Sequence, residues 1–499
     1  MKLRQRSLLL IAVVASVALA RAEDLTKLTL AEASAQIRAG KVTSIQLTEA
    51  CLARIETYND KLDAFITVMK DQALAQAKVL DAEAKAGKFR GALHGVPIAL
   101  KDNVDTANAR TTGGSALFAD RLPAEDATIV TRMVAAGAVI IGKTNLQEFA
   151  MGGGETSFYG PARNPWNLAH NTGGSSSGSG AAISAFLAYG AIGTDTGGSI
   201  RMPASFSGIV GIKATYGLVP IRGVIPLRVS LDHAGPMTRT VEDAAIMLTV
   251  LAGYDKLDIT SVEHPAEDYV AEMKQPVKGL KLGLPYGYFD YLDPEVKEAF
   301  YKAVEVLNSL TAGSKEMSLP PALRAPAGGA ETLAWHESYV KSSPNLYMLP
   351  ERRRLEALAK ESGGTAVDYV KGMWENQLVR RTIDDAFTKA GVDLVIVPTN
   401  RILPPKLDDL INRAYDTKPS DPRVTSNCSP FNIFGLPSIS IPCGFSKDGL
   451  PIGLMISGPH FSEGKVLALA AAYEKATEWH KRQPPLTPET PKPAVMKGI

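Results

Sequence analysis

From residue 96 onward the chain keeps setting a short apolar run beside a helical pattern. The runs are "VPIAL" (96–100), "AVIIG" (138–142), "GIVGI" (208–212), "LKLGL" (280–284), "DLVIVPT" (393–399) and "SISIPCGF" (438–445). Runs this short suit buried strands, whereas intervening stretches such as "DATIVTRMVAAG" carry apolar residues at helical spacing. A strand buried on both faces needs helices above and below it. The pattern therefore predicts an α/β fold with a mixed, mainly parallel central sheet covered by helices on both faces. Ahead of it, residues 28–86 read as helices. One opens with a capping box at Thr43 and Gln46, followed by Leu47, Cys51, Leu52 and Ile55 on one face.

The first 22 residues have another texture: basic Lys2, Arg4 and Arg6, an apolar stretch from Leu8 to Leu19, then Ala20-Arg21-Ala22. That order is the pattern of a secretory signal peptide, and the apolar run is shorter than the roughly 20 residues a spanning helix needs. The expectation is export, periplasmic or secreted, with no stable membrane association once the signal is removed. Length alone would allow two to four domains, but large α/β enzymes often exceed the usual domain size in one unit, and residues 23–499 are expected to form a single domain. Within it, 23–90 are N-terminal helices, 91–256 the core, 287–390 a polar helical cap or insertion, and 391–499 the rest of the core with a proline-rich tail.

Charge and side-chain inventory exclude several functions. Losing residues 1–22 takes the formal charge from +2 to −2, which leaves no electrostatic footprint for nucleic acid. Seven scattered histidines offer no HExxH or HxH pair, so no metal is expected. Three cysteines are too few for a disulfide framework; a Cys428–Cys443 bridge stays open in an oxidising compartment, with buried free thiols the favoured reading.

The segment "GGSSSGSGAAISAFLAYGAIGTDTGGSIRMPAS" (173–205) poses the functional question. A flexible linker would run into polar sequence, but "AAISAFLAYGAIG" follows as a buried helix and turn. A P-loop needs a lysine after its glycines, and none is present. The string "GSSSG" (174–178) matches GxSxG, but a nucleophile elbow requires a preceding strand, and "ARNPWNLAHNT" reads as a turn-rich loop. "TDTGGS" (194–199) allows consecutive backbone N–H groups to point into one pocket beside Ser199. On composition alone it is equally an ordinary glycine turn. Lys101, in "GVPIALKDNVD" at the end of the apolar run, reads by itself as a strand-end lysine facing water, although a desolvated lysine there would be a neutral base.

Five strings occur in the order and approximate spacing of the amidase signature family: "GVPIALKDNVD", "GAVIIGKTNLQEFAMG", "NPWNLAHNTGGSSSGSGAAISA", "GTDTGGSIRMPASFSGIVGIKATYGLVP" and "GLPSISIPCGF". The chain resembles that family most closely over residues 92–240 and again over 392–458. The resemblance implies the amidase signature fold and a Ser–Ser–Lys triad. Lys101 matches the buried base, Ser175 the bridging serine with a cis peptide bond, and Ser199 the nucleophile, 24 residues beyond Ser175. The backbone N–H groups of Thr196, Gly197, Gly198 and Ser199 match the oxyanion hole. Ala150 falls near the acyl site, Asp195 and Arg201 match charged positions flanking the nucleophile, and Ser176 is expected to hydrogen-bond within its loop.

The implied function is that of an exported amidase acting on a small-molecule amide or peptide amide, without cofactor and without nucleic acid. Two alternatives stand beside it. One is an amidotransferase A-subunit-like protein acting on glutamine, which export would separate from charged tRNA. The other is a catalytically silent binding protein on the same scaffold. Substrate and oligomeric state are not legible in the sequence.

Overall fold

The computed structural model describes residues 24–322, 328–360, 365–416 and 426–494. The 1–22 leader lies outside the described residues. Thirteen strands are described: β1 (Phe65–Val68), β2 (Pro97–Lys101), β3 (Val139–Thr144), β4 (Arg163–Asn164), β5 (Asn167–Asn171), β6 (Gly190–Asp195) and β7 (Val210–Lys213). Then come β8 (His233–Thr238), β9 (Leu282–Pro285), β10 (Ser314–Met317), β11 (Leu394–Pro398), β12 (Ser438–Phe445) and β13 (Pro451–Ser457). Strands β4 and β5 pair with each other, and the other eleven form one sheet in the order β1-β3-β2-β6-β8-β7-β12-β13-β11-β9-β10. The sheet is mixed, as expected. It is parallel where β2 meets β3 and β6 and where β9 meets β10 and β11, and antiparallel at its other junctions.

Each of the six apolar runs contains a strand, because residues such as Ile98, Leu100, Ile140, Ile212, Ile396 and Ile439 are buried between helical layers. The capping box at Thr43 and Gln46 opens the helix Ser44–Leu62. Three local expectations need correction. Residues 65–68, read as helical, form β1: Phe65, Thr67 and Val68 pair along β3, and the β-branched Ile66, Thr67 and Val68 suit a strand. The supposed turn-rich loop holds the ladder of β4 and β5. The "helix and turn" before "TDTGGS" is the helix Ser177–Ser184 followed by strand β6, since Gly190 to Ile192 align with Ile98 to Leu100 of β2.

That parallel β2–β6 pairing positions the site. It brings the C-terminal ends of the two strands side by side, where Lys101 and Asp195 emerge, and such ends are where open α/β sheets bind ligands. Over this end lie the helices Gly328–Ser342, Leu349–Lys360 and Ala366–Ala390 of the 287–390 region. An aromatic cluster ties them to the core. Phe149 meets Trp335 at 5.7 Å and Tyr347 at 5.6 Å between ring centroids, and Phe118 meets Phe149 edge-on at 5.6 Å.

Candidate active site

Three lysines, Lys101, Lys143 and Lys213, are fully buried, and their partners separate them. Lys143 Nζ donates to the Val104 carbonyl and to Thr111 Oγ1, both at 2.6 Å, and lies 3.6 Å from Asp102. Lys213 Nζ donates to the carbonyls of Leu436 at 2.5 Å and Ala214 at 3.2 Å. Lys101 Nζ lies 2.7 Å from Ser175 Oγ and 2.7 Å from Thr194 Oγ1, to which Asn103 Nδ2 also donates at 3.2 Å. Burial lowers the Lys101 pKa from 10.5 to about 7, against the opposing pull of Asp195 and Asp232. A neutral amine beside a serine hydroxyl accepts its proton and gives an N–H to Thr194.

Ser175 follows a cis Gly174–Ser175 peptide bond and is fully buried. Ser176, expected to bond within its own loop, instead reaches β6: its hydroxyl donates to the Thr194 carbonyl at 3.2 Å and accepts the Thr194 N–H at 3.2 Å. Its N–H donates to the Ser199 carbonyl at 3.3 Å, so the two serine-bearing loops are tied directly together. The helix Ser177–Ser184 behind them sits tight on the sheet. A Cβ at Gly178 would lie 2.3 Å from the Ala64 carbonyl oxygen, which leaves room for glycine alone.

Asp195 and Arg201 build the floor of the Ser199 turn. Arg201 Nε donates to Asp195 Oδ2 and Nη2 to Oδ1, each at 3.0 Å, with both side chains out of solvent. Arg201 also donates to Asn432 Oδ1 at 2.6 Å and the Cys428 carbonyl at 3.0 Å, and Asn432 Nδ2 returns a bond to Asp195 Oδ1 at 2.8 Å. Burial would raise the Asp195 pKa, but Arg201 outweighs it and holds the carboxyl well below its ordinary range. Asp195 in turn accepts the N–H groups of Gly198 at 2.7 Å and Ile200 at 3.1 Å. This departs from the expected oxyanion hole: the Gly198 N–H is given to Asp195. Thr196, Gly197 and Ser199 line the cavity.

That cavity encloses about 410 Å³ and also borders Ala150. Met151, Met202, Phe206 and Ile433 give it apolar walls, with Glu155, Arg228, Glu331 and Arg354 as its charged members. Thr196 Oγ1 donates to Asp232 at 2.5 Å, and Asp232 also accepts the N–H groups of Leu227 and Arg228. Burial raises the Asp232 pKa to about 7. All three cysteines are free and buried.

The Amidase family model matches residues 46–467. The chain belongs to the amidase family. Among curated relatives of this amidase-family chain, the A subunit of the glutamyl-tRNA(Gln) amidotransferase of Moorella thermoacetica is 41% identical, aligned over 93% of this chain and 99% of that protein. The native peptide amidase of Stenotrophomonas maltophilia has a TM-score of 0.79 at 32% identity, covering 92% and 98% of the two chains. The A subunit of the glutamyl-tRNA(Gln) amidotransferase of Thermotoga maritima has a TM-score of 0.73 at 32% identity, covering 91% and 95%.

Sequence reasoning missed several members of this amidase-family site. Thr194 and Asn103 lie inside quoted strings, and "KDN" and "TDTGGS" were the signal that could have found them. Asp232 and Asn432 touch the site from far along the chain, where no local spacing marks them.

Proposed function

We propose that the chain cleaves a carboxamide C–N bond through an acyl-enzyme on Ser199, with Ser175 and Lys101 carrying the proton. The observation that carries this reading is the 2.7 Å approach of the buried Lys101 amine to Ser175, in a loop bonded to Ser199. Neutral Lys101 takes the Ser175 proton as Ser175 takes that of Ser199, whose oxygen attacks the carbonyl carbon. The Thr196, Gly197 and Ser199 N–H groups face the developing oxyanion. The C–N bond breaks, the proton returns through Ser175 to the leaving nitrogen, and an acceptor then takes the acyl group from Ser199.

Two readings of the amide substrate follow from different comparisons. The 41% match over nearly the full chain to proteins named as an amidotransferase subunit favours glutamine as the amide, with the chain one member of an assembly. The higher TM-score to the peptide amidase, at the same 32% identity, favours a self-standing hydrolase with water as acceptor. The nearly full-length sequence match weighs more, so glutamine heads the test panel. Ammonia or amine release is measured from glutamine, acetamide, benzamide and an amino-acid amide, using the chain alone. Release from glutamine only supports the subunit reading, and release from the others supports the hydrolase. Release from none, with Ser199 inert to a serine-reactive phosphonate, defeats the acyl-enzyme proposal.

Export is a separate proposal. Its support is the basic, apolar and small-residue order of residues 1–22.

A further inference from the structure

A second cavity, about 640 Å³, lies against the one that holds Ser199, and the two share Leu227, Ser230, Glu331, Tyr369, Met373 and Asn376 as walls. Beyond that shared wall the lining becomes aromatic and apolar, with Tyr216, Trp335, Pro226, Val229 and Ile259. Among the described residues that line it, the one cation is already held: Arg380 lies 4.1 Å over the Tyr216 ring and donates to the carbonyls of Ser230 at 2.6 Å and Ile433 at 2.9 Å. At the junction Glu331 accepts the Ser230 hydroxyl at 2.6 Å and the Ser230 N–H at 2.9 Å, pinning the cap helix Gly328–Ser342 to the core loop.

We propose that the two cavities form one bent binding channel, and that the second chamber takes a flat, aryl-bearing arm of the amide substrate. The proposal rests on the amide-cleavage reading above and extends it to a substrate class. The side chains of Tyr216, Trp335 and Tyr369 in the lining, with Pro226, Val229 and Ile259, favour an apolar, aryl-bearing partner over a charged one. The Glu331 carboxylate, reachable from both chambers, accepts an N–H donor where the arm turns the corner. A primary amide of a small acid leaves the second chamber empty. An extended amide fills it, and either its acyl half or its amine half supplies the ring.

The chamber is tested by binding and by turnover. In a Ser199→Ala background, tryptophan fluorescence is followed while phenylbutyramide, N-phenethylacetamide or acetamide is added, with Trp335→Phe identifying the responding ring. The expected result is quenching by one or both aryl amides, none by acetamide, and loss of the response in Trp335→Phe. Phenylbutyramide alone assigns the acyl arm, and N-phenethylacetamide alone assigns the amine arm. In the Ser199-containing protein, Ala334→Phe fills the exposed rim of the chamber, and the ratio of kcat/KM for the aryl amide to that for acetamide drops about tenfold or more. Gln377→Phe narrows the same rim from the facing helix and serves if Ala334→Phe does not fold. No quenching by either aryl amide, or an unchanged ratio in a folded rim variant, overturns the proposal. Quenching without turnover of any amide leaves the chamber standing and removes the amide-cleavage reading instead.

Discussion

Lys101 Nζ and Ser175 Oγ stand 2.7 Å apart with neither side chain in contact with solvent. A lysine there works as a base only when neutral, and burial has brought its pKa down to about 7. The rate should therefore rise with pH through about 7, since deprotonation creates the acceptor, and should fall away below it. Lys101→Arg keeps a charge that cannot be lost and is expected to reduce kcat/KM by about 10³-fold or more. The check is kcat/KM against pH for both proteins on one amide that is turned over. An arginine variant with ordinary activity and an unchanged profile removes Lys101 from the relay.

Ser199→Ala deletes the oxygen proposed to attack and little else, because Ser199 lies at the cavity wall. Turnover should drop by about 10³-fold or more while stability changes by less than about 1 kcal/mol. Kinetics with a denaturation curve on the same sample decide it, and retained turnover defeats the nucleophile assignment.

Arg201→Met leaves the Asp195 carboxylate buried without its guanidinium. Breaking a buried pair from one side costs about 3–5 kcal/mol, far more than losing an exposed pair. Urea unfolding should show that loss, together with reduced kcat, since Asp195 also holds the Gly198 and Ile200 N–H groups. A variant as stable as the parent contradicts this account of the pair.

Gly198→Ala tests the shape of the turn. Gly198 has φ +132°, and a Cβ there would lie 2.8 Å from the Cys428 Cβ. The substitution is expected to cost about 1–3 kcal/mol and to lower kcat more than it raises KM, because the neighbouring N–H groups lose their aim. Parental kcat and stability together would show that the turn tolerates a side chain.

The export proposal predicts a mature chain beginning near Glu23. N-terminal sequencing of protein from a fractionated native host reads this directly, and intact Met1 in the cytosolic fraction rejects it.

The strands were legible where apolar residues ran together, as at 438–445, and illegible where the stretch read on from a helical pattern, as in Gly190–Asp195. Lys101 shows the same limit at the site. Its own context says only that a lysine ends a strand, and its burial comes from β3 and β6 on either side, far off in sequence. The Asp195–Asn432 bond joins residues 237 positions apart, so no local pattern could announce it. The glycine-rich turn was visible in "TDTGGS", but which of its N–H groups stays free depends on the Asp195 carboxylate folding back onto Gly198.

The division between sheet and cap has an engineering consequence. Lys101, Ser175, Thr194 and Asp195 take their hydrogen-bond partners from the core, Arg201 and Asn432 included, and the Ser199 carbonyl is held by Ser176. Glu331, Tyr369, Met373 and Asn376 belong to two cap helices that border the cavity, and the aromatic cluster around Phe149 anchors the first of these helices. Grafting a different helical segment between β10 and β11, with its contacts to Phe118 and Phe149 kept, would exchange that wall of the cavity while sparing the hydrogen bonds of Lys101 to Ser175 and Thr194.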